Sequence, residues 1–296
     1  MHRVERMSAS RRTVVRSRKG TATLPRRRLD AELVSRGLIA TREQARVAIS
    51  DGRVLVAGSV AVKPDRQVAR GEPIVVVGHG PRFVGRGALK LDAALGRFGR
   101  EVAGLRAIDV GASTGGFTDC LLQRGATEVV AIDVGYGQLH EKLRLDPRVR
   151  SLERTNVRDL AAEAVGGPAA IVVVDVSFIS LLTVAPALMR LLAPDGDLVA
   201  LVKPQFEAGR VEASRAKGVL RDPELWHRIL GEVRDGLVGL DAVVMDVMAS
   251  PITGAAGNVE FLLWARRGDA GCDDGALDDA VAAAVRLVEE KARRKQ

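Results

Sequence analysis

Six short apolar runs recur between residues 106 and 266, most of them separated by stretches with helical patterning. This recurrence constrains the fold more than any other feature, because strands that alternate with helices form a doubly wound, largely parallel sheet. The last two runs lack an intervening helix and are joined by residues 250–258, which predicts a long β-hairpin at the end of the sheet. The runs are 106–110, 129–134, 170–175, 198–202, 242–249 and 260–266.

A glycine-rich loop follows the first run and reads Asp-Val-Gly-Ala-Ser-Thr-Gly-Gly-Phe-Thr from Asp109 to Thr118. Glycine permits positive φ and close approach of the backbone to a ligand, and α/β sheets bind ligands at the carboxyl edge, where Asp109 stands. A nicotinamide-binding loop would read Gly-x-Gly-x-x-Gly. The spacing Asp-x-Gly-x-x-x-Gly-Gly instead indicates S-adenosylmethionine, and a terminal β-hairpin is typical of Rossmann-like methyltransferases. A tight turn without a ligand is the alternative.

Polar side chains after the next two strand regions extend this prediction. Asp133 lies 22 residues after Gly111 and ends its strand, where an acid should hold the ribose hydroxyls of the cofactor. Asn156 follows the third strand region, where methyltransferases usually hold the adenine, and a plain loop cap is the alternative for this residue. The predicted cofactor contacts are Asp109, Gly111, Ser113, Thr114, Gly115, Gly116, Phe117, Asp133, Asn156 and Val157.

The basic residues are concentrated at the N-terminal end of the chain. The net charge is +9 for residues 1–28 and +4 for residues 29–90, so the remaining residues carry −5 of the total of +8. Such asymmetry predicts a polyanionic partner bound through this end, with a merely solvated tail as the alternative. Aromatic residues make up only 3% of the chain, so contacts to RNA would rely on charge more than on stacking.

The cysteines and the N-terminus indicate the compartment. Cys120 and Cys272 give neither a disulfide framework nor metal-ligand spacing, and no metal site is predicted. The N-terminus lacks the apolar segment of a secretory signal, and no run reaches the length of a membrane span. We therefore expect a cytoplasmic protein that does not bind a membrane.

Residues 28–78 have the pattern of a small module with two helices and a hairpin. A helical apolar stripe ends before Gly37, and Thr41 with Gln44 makes a capping box for a second helix. The predicted strands are 54–56 and 60–62, paired as a hairpin, and 74–77.

This module resembles the small RNA-binding domain first recognised in ribosomal protein S-four. Two positions depart from the usual pattern of that family, since Thr41 stands for Ser and Ala57 stands for Asn in the hairpin turn. The resemblance implies that the helical pair presents basic side chains to structured RNA, although ordinary surface cations are the alternative. The matching residues are Arg28-Leu-Asp30, Gly37-Leu38, Arg42, Ala45, Ile49, Gly52, Lys63-Pro64 and Gly71-Glu72. The predicted RNA contacts are Arg28, Arg42, Arg46, Arg53 and Lys63.

Four charged residues stand at the ends of predicted strands or just outside the sheet, namely Lys90, Asp175, Lys203 and Glu260. Asp175 and Lys203 each end an apolar run, and charged residues in that position gather at the ligand edge of the sheet. Any one of them alone would more often be a helix cap or a surface charge. The four together predict a catalytic site.

In chain order these residues give the Lys-Asp-Lys-Glu pattern of the FtsJ-like ribose 2′-O-methyltransferases. The surrounding segments resemble the TlyA family, which joins an S-four-type domain to an FtsJ-like domain and methylates cytidine ribose in ribosomal RNA. Gly85 and Ala88 stand where Ser and Gly are usual beside Lys90, a departure that leaves the four residues intact. The segments that carry the resemblance are 86–91, 175–180, 202–207, 217–222 and 250–261.

The resemblance and the patterns together imply a domain organisation. We expect a Rossmann-like methyltransferase domain with a mostly parallel sheet, preceded by a small α+β RNA-binding domain. Family resemblance suggests ribosomal RNA in assembled ribosomal subunits as the partner, since recognition by shape suits a small basic module. The expected boundaries are 1–25 for a disordered basic tail, 26–78 for the RNA-binding domain, 79–85 for a linker, 86–268 for the methyltransferase domain, and 269–296 for a linker and C-terminal helix.

Transfer of a methyl group to a ribose hydroxyl requires removal or polarisation of the hydroxyl proton. A lysine serves as the base only if its ammonium form is destabilised, and a neighbouring cation and partial burial both act in that direction. We expect Lys203 to be the base and Lys90 to be the neighbouring cation that steers the hydroxyl. Asp175 would orient Lys203 and face the methyl group, and Glu260 would hold Lys90.

Three other functions compete with this interpretation. A non-catalytic assembly factor that binds ribosomal RNA would be expected to have substitutions in the glycine loop or in the tetrad, as we name the four residues Lys90, Asp175, Lys203 and Glu260. Both are intact. A pore former, suggested by the haemolysin name of some family members, should show a membrane span or an amphipathic insertion segment. A pseudouridine synthase can share the N-terminal module but needs neither the loop at 109–116 nor two lysines at strand ends.

Two smaller features keep two interpretations each. Phe178 and Phe206 lie just past Asp175 and Lys203, and either pack on the target nucleoside or belong to the core. Residues 217–222 form either a loop over the active site or a surface turn.

Overall fold

The computed structural model describes residues 26–77, 82–209, 219–268 and 270–293. They form two compact units that divide between Arg82 and Phe83, named unit 1 and unit 2 below. The expected basic tail over 1–25, the start of the expected linker, and residues 217 and 218 lie outside the described residues.

Unit 1 contains two helices and two small sheets among its described residues. The first helix ends before Gly37, which adopts a φ of +67° that L side chains rarely adopt. The second begins after Thr41, whose hydroxyl accepts a hydrogen bond from the Gln44 N–H at 3.2 Å. In chain order the elements are β1 (Arg26–Arg28), α1 (Leu29–Ser35), α2 (Arg42–Ser50), β2 (Val54–Val56), β3 (Ser59–Val60), β4 (Gln67–Ala69) and β5 (Ile74–Val76).

The strands of unit 1 confirm the predicted hairpin and add a strand pair. Strand β2 pairs antiparallel with both β3 and β5. Strand β3 starts one residue earlier than expected, because Ala57 and Gly58 alone make the turn, both with positive φ. The pairing of β1 with β4 was not predicted, since Arg26–Arg28 has no apolar residue to mark a strand. The core of the unit consists of Leu29, Leu33, Ala45, Ala48, Ile49, Val54, Val56, Ala61 and Val68.

Unit 2 alternates strands and helices through most of its length. Its elements are α3 (Gly87–Arg97), β6 (Arg106–Val110), α4 (Gly116–Gln123), β7 (Glu128–Ile132), α5 (Glu141–Arg144), β8 (Val149–Leu152), two short 3₁₀ turns (Val157–Asp159 and Ala162–Val165), β9 (Ala169–Val174), α6 (Leu181–Leu191), β10 (Leu192–Val202), α7 (Pro204–Glu207), α8 (Pro223–Val238), β11 (Ala242–Ala249), β12 (Phe261–Arg267) and α9 (Asp274–Arg293).

The strands of unit 2 form a seven-stranded sheet in the order β11-β12-β10-β9-β6-β7-β8. Strands β6 to β10 run parallel, whereas β12 pairs antiparallel with β10 and β11. This topology confirms the predicted doubly wound sheet and its terminal hairpin. Strand β10 begins at Leu192, well before the expected residue 198. Its first half was not predicted because the stretch Pro194-Asp-Gly-Asp197 lacks the apolar residues that mark a buried strand.

The strands send alternate side chains to two apolar clusters, one on each face of the sheet. Ile108 faces the cluster that contains residues of α6, α8 and α9. Its neighbour Ala107 faces the cluster that contains residues of α3 and α4. Helices therefore cover both faces, which leaves the edge where the parallel strands end as the place for a ligand.

We expect Phe261→Ala to lower the free energy of unfolding of unit 2 by about 3–5 kcal/mol. Phe261 is fully buried at the start of β12, and its ring centroid lies 6.1 Å from that of Trp226. Both tryptophans of the chain, Trp226 and Trp264, belong to unit 2, so their fluorescence in a denaturant titration follows that unit. Val238→Ala is the matched control, because Val238 is 55% exposed. Equal losses in both variants would contradict this packing.

Candidate active site

Two cavities open at the carboxyl edge of the parallel strands and share residues. The first has a volume of about 680 Å³ and is lined by all four residues of the predicted tetrad. The second has a volume of about 500 Å³ and is lined by Asp133, Asn156 and Val157. Both are lined by Gly111, Ser113, Asp175, Ser177 and Phe178. All four predicted catalytic residues, and all predicted cofactor contacts except Asp109 and Gly115, therefore line one or both of these cavities.

The glycine loop lies where the two cavities meet, and at Gly111 and Gly115 the surrounding protein leaves no room for a side chain. A Cβ atom at Gly111 would lie 2.5 Å from the carbonyl oxygen of Asp175, and Gly111 has a φ of +84°. Gly115 has a φ of +92°, and a Cβ there would collide with Leu143. Gly115 is the N-cap residue of α4, so the helix begins at Gly116, inside the glycine-rich segment.

Asp109 lies beneath this loop and is completely buried. The Thr118 hydroxyl donates a hydrogen bond to its Oδ2 atom at 2.6 Å. Within the described residues its Oδ1 atom has no hydrogen-bond partner. Burial raises the pKa of this carboxyl from 3.8 to about 7. The hydrogen bond from Thr118 acts in the opposite direction, and the negative charge of Asp175 raises the pKa further.

Asp133 connects the glycine loop to the second cavity. Its carboxylate accepts hydrogen bonds from the backbone N–H of Ser113 at 2.7 Å and of Gly135 at 2.6 Å. These bonds fix the direction of the carboxylate while it lines the cavity. Asn156 accepts a bond from the Arg158 N–H at 3.1 Å, so it caps the turn that follows and lines the cavity as well.

The four tetrad residues come from separate elements and meet in the first cavity. Lys203 Nζ lies 2.5 Å from Asp175 Oδ1, and Lys90 Nζ lies 2.6 Å from Glu260 Oε2. Lys90 Nζ is also 3.9 Å from Asp175 Oδ2, so this one carboxylate lies between both lysines. Lys90, Lys203 and Glu260 are buried, and their opposite charges compensate one another at short range.

Sequence reasoning missed several residues that line the same cavity. Ser177 Oγ accepts a hydrogen bond from Lys203 Nζ at 2.8 Å, which gives that amine a second fixed contact. Arg86, Gln205 and residues 252–256 also line the cavity. The only signal for Ser177 was its place two residues after Asp175, in a segment cited for its resemblance as a whole.

Glu207, the last residue of α7, connects the segment after β10 to the segment after β9 by hydrogen bonds. Its carboxylate accepts a hydrogen bond from the Ser180 hydroxyl at 2.5 Å and another from the Leu181 N–H at 2.8 Å. Burial raises the pKa of Glu207. The contacts hold the segments that carry Asp175 and Lys203 in a fixed relation.

Phe178 and Phe206 contact each other at the mouth of the site, with ring centroids 5.1 Å apart and ring planes tilted by 49°. Phe178 is 90% exposed, so it does not belong to the core. Its φ of +65° is rare for a residue other than glycine. Strained, exposed aromatic residues beside a polar site are often functional.

The residues predicted to contact RNA lie in unit 1. Arg28, Arg42 and Arg46 all contact the carboxylate of Asp30 and are about half exposed. Arg53 is largely covered and pairs with Asp51 at 3.5 Å, whereas Lys63 is exposed.

The cysteines and potential metal ligands add no further site. Cys120 is buried in the apolar cluster beside α4, and Cys272 is partly buried. In the part of the chain that the structure describes, no group of three His, Cys, Asp or Glu residues has the arrangement of a metal site.

Comparison with known proteins gives two family matches and several similar proteins. Residues 83–267 match the FtsJ-like methyltransferase family, and residues 27–74 match the S4 domain. The 16S/23S rRNA (cytidine-2′-O)-methyltransferase TlyA of Mycobacterium tuberculosis is 49% identical over 262 residues, which cover 88% of this chain and 97% of the relative. Hemolysin A of Brachyspira hyodysenteriae is 39% identical over 236 residues, which cover 79% of this chain and 98% of the relative.

A solved structure extends the similarity to the fold of nearly the whole chain. It is that of a Streptococcus thermophilus protein that carries a hemolysin name, with a TM-score of 0.71 and 38% identity. The match covers 92% of this chain and 100% of that one. These matches confirm the resemblance seen in the sequence, and the chain belongs to the TlyA family, with an S4 domain followed by an FtsJ-like methyltransferase domain.

Proposed function

We propose that this protein transfers a methyl group from S-adenosylmethionine to a ribose 2′-hydroxyl of ribosomal RNA, with cytidine as the nucleoside and assembled ribosomal subunits as the substrate. The observation that carries the proposal is the position of Asp175, which contacts Lys203 and Lys90 where the two cavities meet. The relative from Mycobacterium tuberculosis, named for cytidine-2′-O-methylation of rRNA, supports the substrate.

The residues around the glycine loop fit S-adenosylmethionine, which supplies an electrophilic methyl group when bound. Asp109 has a buried oxygen without a partner in the described residues, which suits a cationic group nearby. Gly111 lines both cavities, and a Cβ atom there or at Gly115 would collide with the protein itself, so the loop follows this path only with glycine at both positions. We assign the ribose hydroxyls to Asp133 and the adenine to Asn156 and Val157, which line the second cavity. Ser113, Thr114, Gly116 and Phe117 complete the proposed cofactor surface.

Lys203 is the general base in this proposal. Its neutral amine takes the proton of the 2′-hydroxyl while the ribose oxygen forms a bond to the methyl carbon and the bond from that carbon to sulfur breaks. The Asp175 carboxylate at 2.5 Å and the Ser177 hydroxyl at 2.8 Å fix the direction of the amine. Glu260 holds Lys90 so that its charge points toward the hydroxyl. General-base assistance of this type contributes about 10²–10⁴-fold to a rate.

RNA recognition is divided between the two units in this proposal. Unit 1, over the expected RNA-binding domain at 26–78, binds phosphates through Arg28, Arg42 and Arg46, and Lys63 and Arg53 are further proposed contacts. Phe178 and Phe206 contact the nucleobase of the target, because the exposed ring of Phe178 and the half-buried ring of Phe206 offer aromatic faces beside the catalytic lysine. The methyltransferase domain over 86–268 carries out the reaction.

The competing functions have less support. A non-catalytic assembly factor gives no reason for two lysines and two carboxylates to converge in a cavity. A pore former would need a segment that enters a membrane, and no helix among the described residues is long and apolar enough to cross one. A pseudouridine synthase would not need the glycine loop.

The central experiment incubates the full chain with isolated ribosomal subunits and S-adenosylmethionine that carries a labelled methyl group. We expect label on a ribose 2′-oxygen of ribosomal RNA, and Lys203→Ala to lower the single-turnover rate at least about 10²-fold while cofactor binding by calorimetry persists. Lys142→Ala is the control, because Lys142 is an exposed lysine away from both cavities.

Two results would contradict the proposal. Absence of label in either subunit would reject ribosomal RNA as the substrate. A Lys203→Ala rate close to that of the wild type would reject Lys203 as the base.

Asp109 gives a separate prediction on pH. Because its pKa is raised from 3.8 to about 7, the folded protein keeps a proton that the unfolded chain has lost in this interval. The contribution of Asp109 to the free energy of unfolding therefore falls as the pH rises from about 4 to about 7 and is constant above that. Asp109→Asn has no carboxyl proton to lose. In the absence of cofactor, the Tm of this variant minus the Tm of the wild type should therefore increase as the pH rises from about 4 to about 7. A Tm difference that does not vary with pH would contradict the burial of an ionisable Asp109.

A further inference from the structure

Asp30 is the second residue of α1, and its side chain is completely buried among arginines. Arg28 donates to its carboxylate from Nε at 3.1 Å and from Nη2 at 3.2 Å. Arg42 donates from Nη2 at 3.0 Å, and Arg46 donates from Nε at 3.4 Å. One buried carboxylate is thus shared by three guanidinium groups from two separate parts of unit 1.

The carboxylate remains charged in this environment. Burial by itself would raise the pKa of Asp30, but the hydrogen bonds from Arg28 and Arg42 outweigh burial and hold the pKa well below its usual range. A single negative charge therefore lies beneath three positive charges at neutral pH, and the cluster keeps a net positive charge.

The three arginines keep donors available to solvent. Their side chains are 44%, 53% and 57% exposed, and a guanidinium group has five N–H donors, of which each spends one or two on Asp30. Arg36 provides the contrast within the same unit. Its guanidinium donates to Glu32 and to the carbonyl oxygens of Ala69, Arg70 and Glu72, so its donors serve the fold.

An arginine side chain that is mobile in solution loses conformational entropy when it binds a phosphate, and this loss reduces the affinity for RNA. A carboxylate that already holds one side of each guanidinium removes part of that loss before RNA arrives. It also reduces the mutual repulsion of the three cations, so that they stay close enough to contact neighbouring phosphates.

We propose that Asp30 is a positioning residue for RNA binding, which holds Arg28, Arg42 and Arg46 as a preformed phosphate-binding surface. The inference rests on the proposed function, in which unit 1 binds ribosomal RNA. This role predicts that removal of the Asp30 charge weakens RNA binding, whereas the net charge alone predicts that it strengthens binding. Removal of a negative charge from a surface that binds a polyanion should strengthen binding by Coulomb attraction alone, whereas loss of the positioning carboxylate weakens it.

The test measures binding of the full chain to isolated ribosomal subunits by co-sedimentation over a series of salt concentrations. We expect Asp30→Asn to weaken binding about tenfold and to reduce the slope of log affinity against log salt by about 1 or more, because fewer phosphates are neutralised. The matched control is Asp65→Asn, which removes the same charge from an exposed acid near Arg28. This control should bind as tightly as the wild type or more tightly.

A second variant covers the event that Asp30→Asn unfolds unit 1. Arg42→Lys keeps the charge at a half-exposed position but loses the planar fork that bonds Asp30 and a phosphate together. It should weaken binding several-fold, whereas Arg70→Lys, at an exposed arginine outside the cluster, should bind as the wild type does.

The outcomes separate this inference from the function on which it rests. If folded Asp30→Asn binds as tightly as Asp65→Asn, or Arg42→Lys binds as tightly as Arg70→Lys, the positioning role of Asp30 is overturned while RNA binding stands. If the wild type itself fails to bind the subunits, RNA binding by unit 1 fails as well.

Discussion

Parallel strands β6 to β10 all end at one edge of the sheet, and this constraint decides where the charged residues of unit 2 meet. Helices cover both faces, so the polar ends of the strands have no other surface to occupy. Asp109, Asp175 and Lys203 stand at or just past the ends of three neighbouring strands, and the antiparallel strand β12 adds Glu260 to the same cavity. The proposed chemistry depends on this arrangement, because Gly111 and Ser113 of the glycine loop line the same cavity as Lys90 and Lys203.

Buried charges at this edge are tolerated because they are paired. Two lysines and two carboxylates compensate one another over 2.5–3.9 Å, and Ser177 gives Lys203 a neutral partner. Asp109 differs, since among the described residues only Thr118 donates to its carboxylate, and burial raises its pKa to about 7. Unit 1 shows the same kind of pairing, because the buried carboxylate of Asp30 contacts three arginines that are about half exposed.

Much of this arrangement could be predicted from the sequence, because apolar runs of strand length mark buried parallel strands and polar residues at their ends mark the ligand edge. Each apolar run that precedes Asp175, Lys203 or the glycine loop marks the end of a strand, so these residues could be placed at the ligand edge from the sequence. Ser177 and Glu207 could not be placed in this way, because their contacts depend on how two loops far apart in the chain pack together. The early start of β10 and the pairing of β1 with β4 were not predicted for a related reason. The first half of β10 and the whole of β1 consist mainly of polar or turn-forming residues, and their pairing partners are distant in the chain.

The central claim is that Lys203 removes the proton of the ribose hydroxyl as the methyl group is transferred. The most direct test is the dependence of the single-turnover rate of methyl transfer on pH, measured with saturating RNA substrate and cofactor. Because only the neutral amine of Lys203 acts as a base, the wild-type rate should rise about tenfold per pH unit and then reach a plateau. Lys203→Met should react slowly and without this rise. A wild-type rate that does not vary with pH, or an unchanged profile in Lys203→Met, would contradict the account.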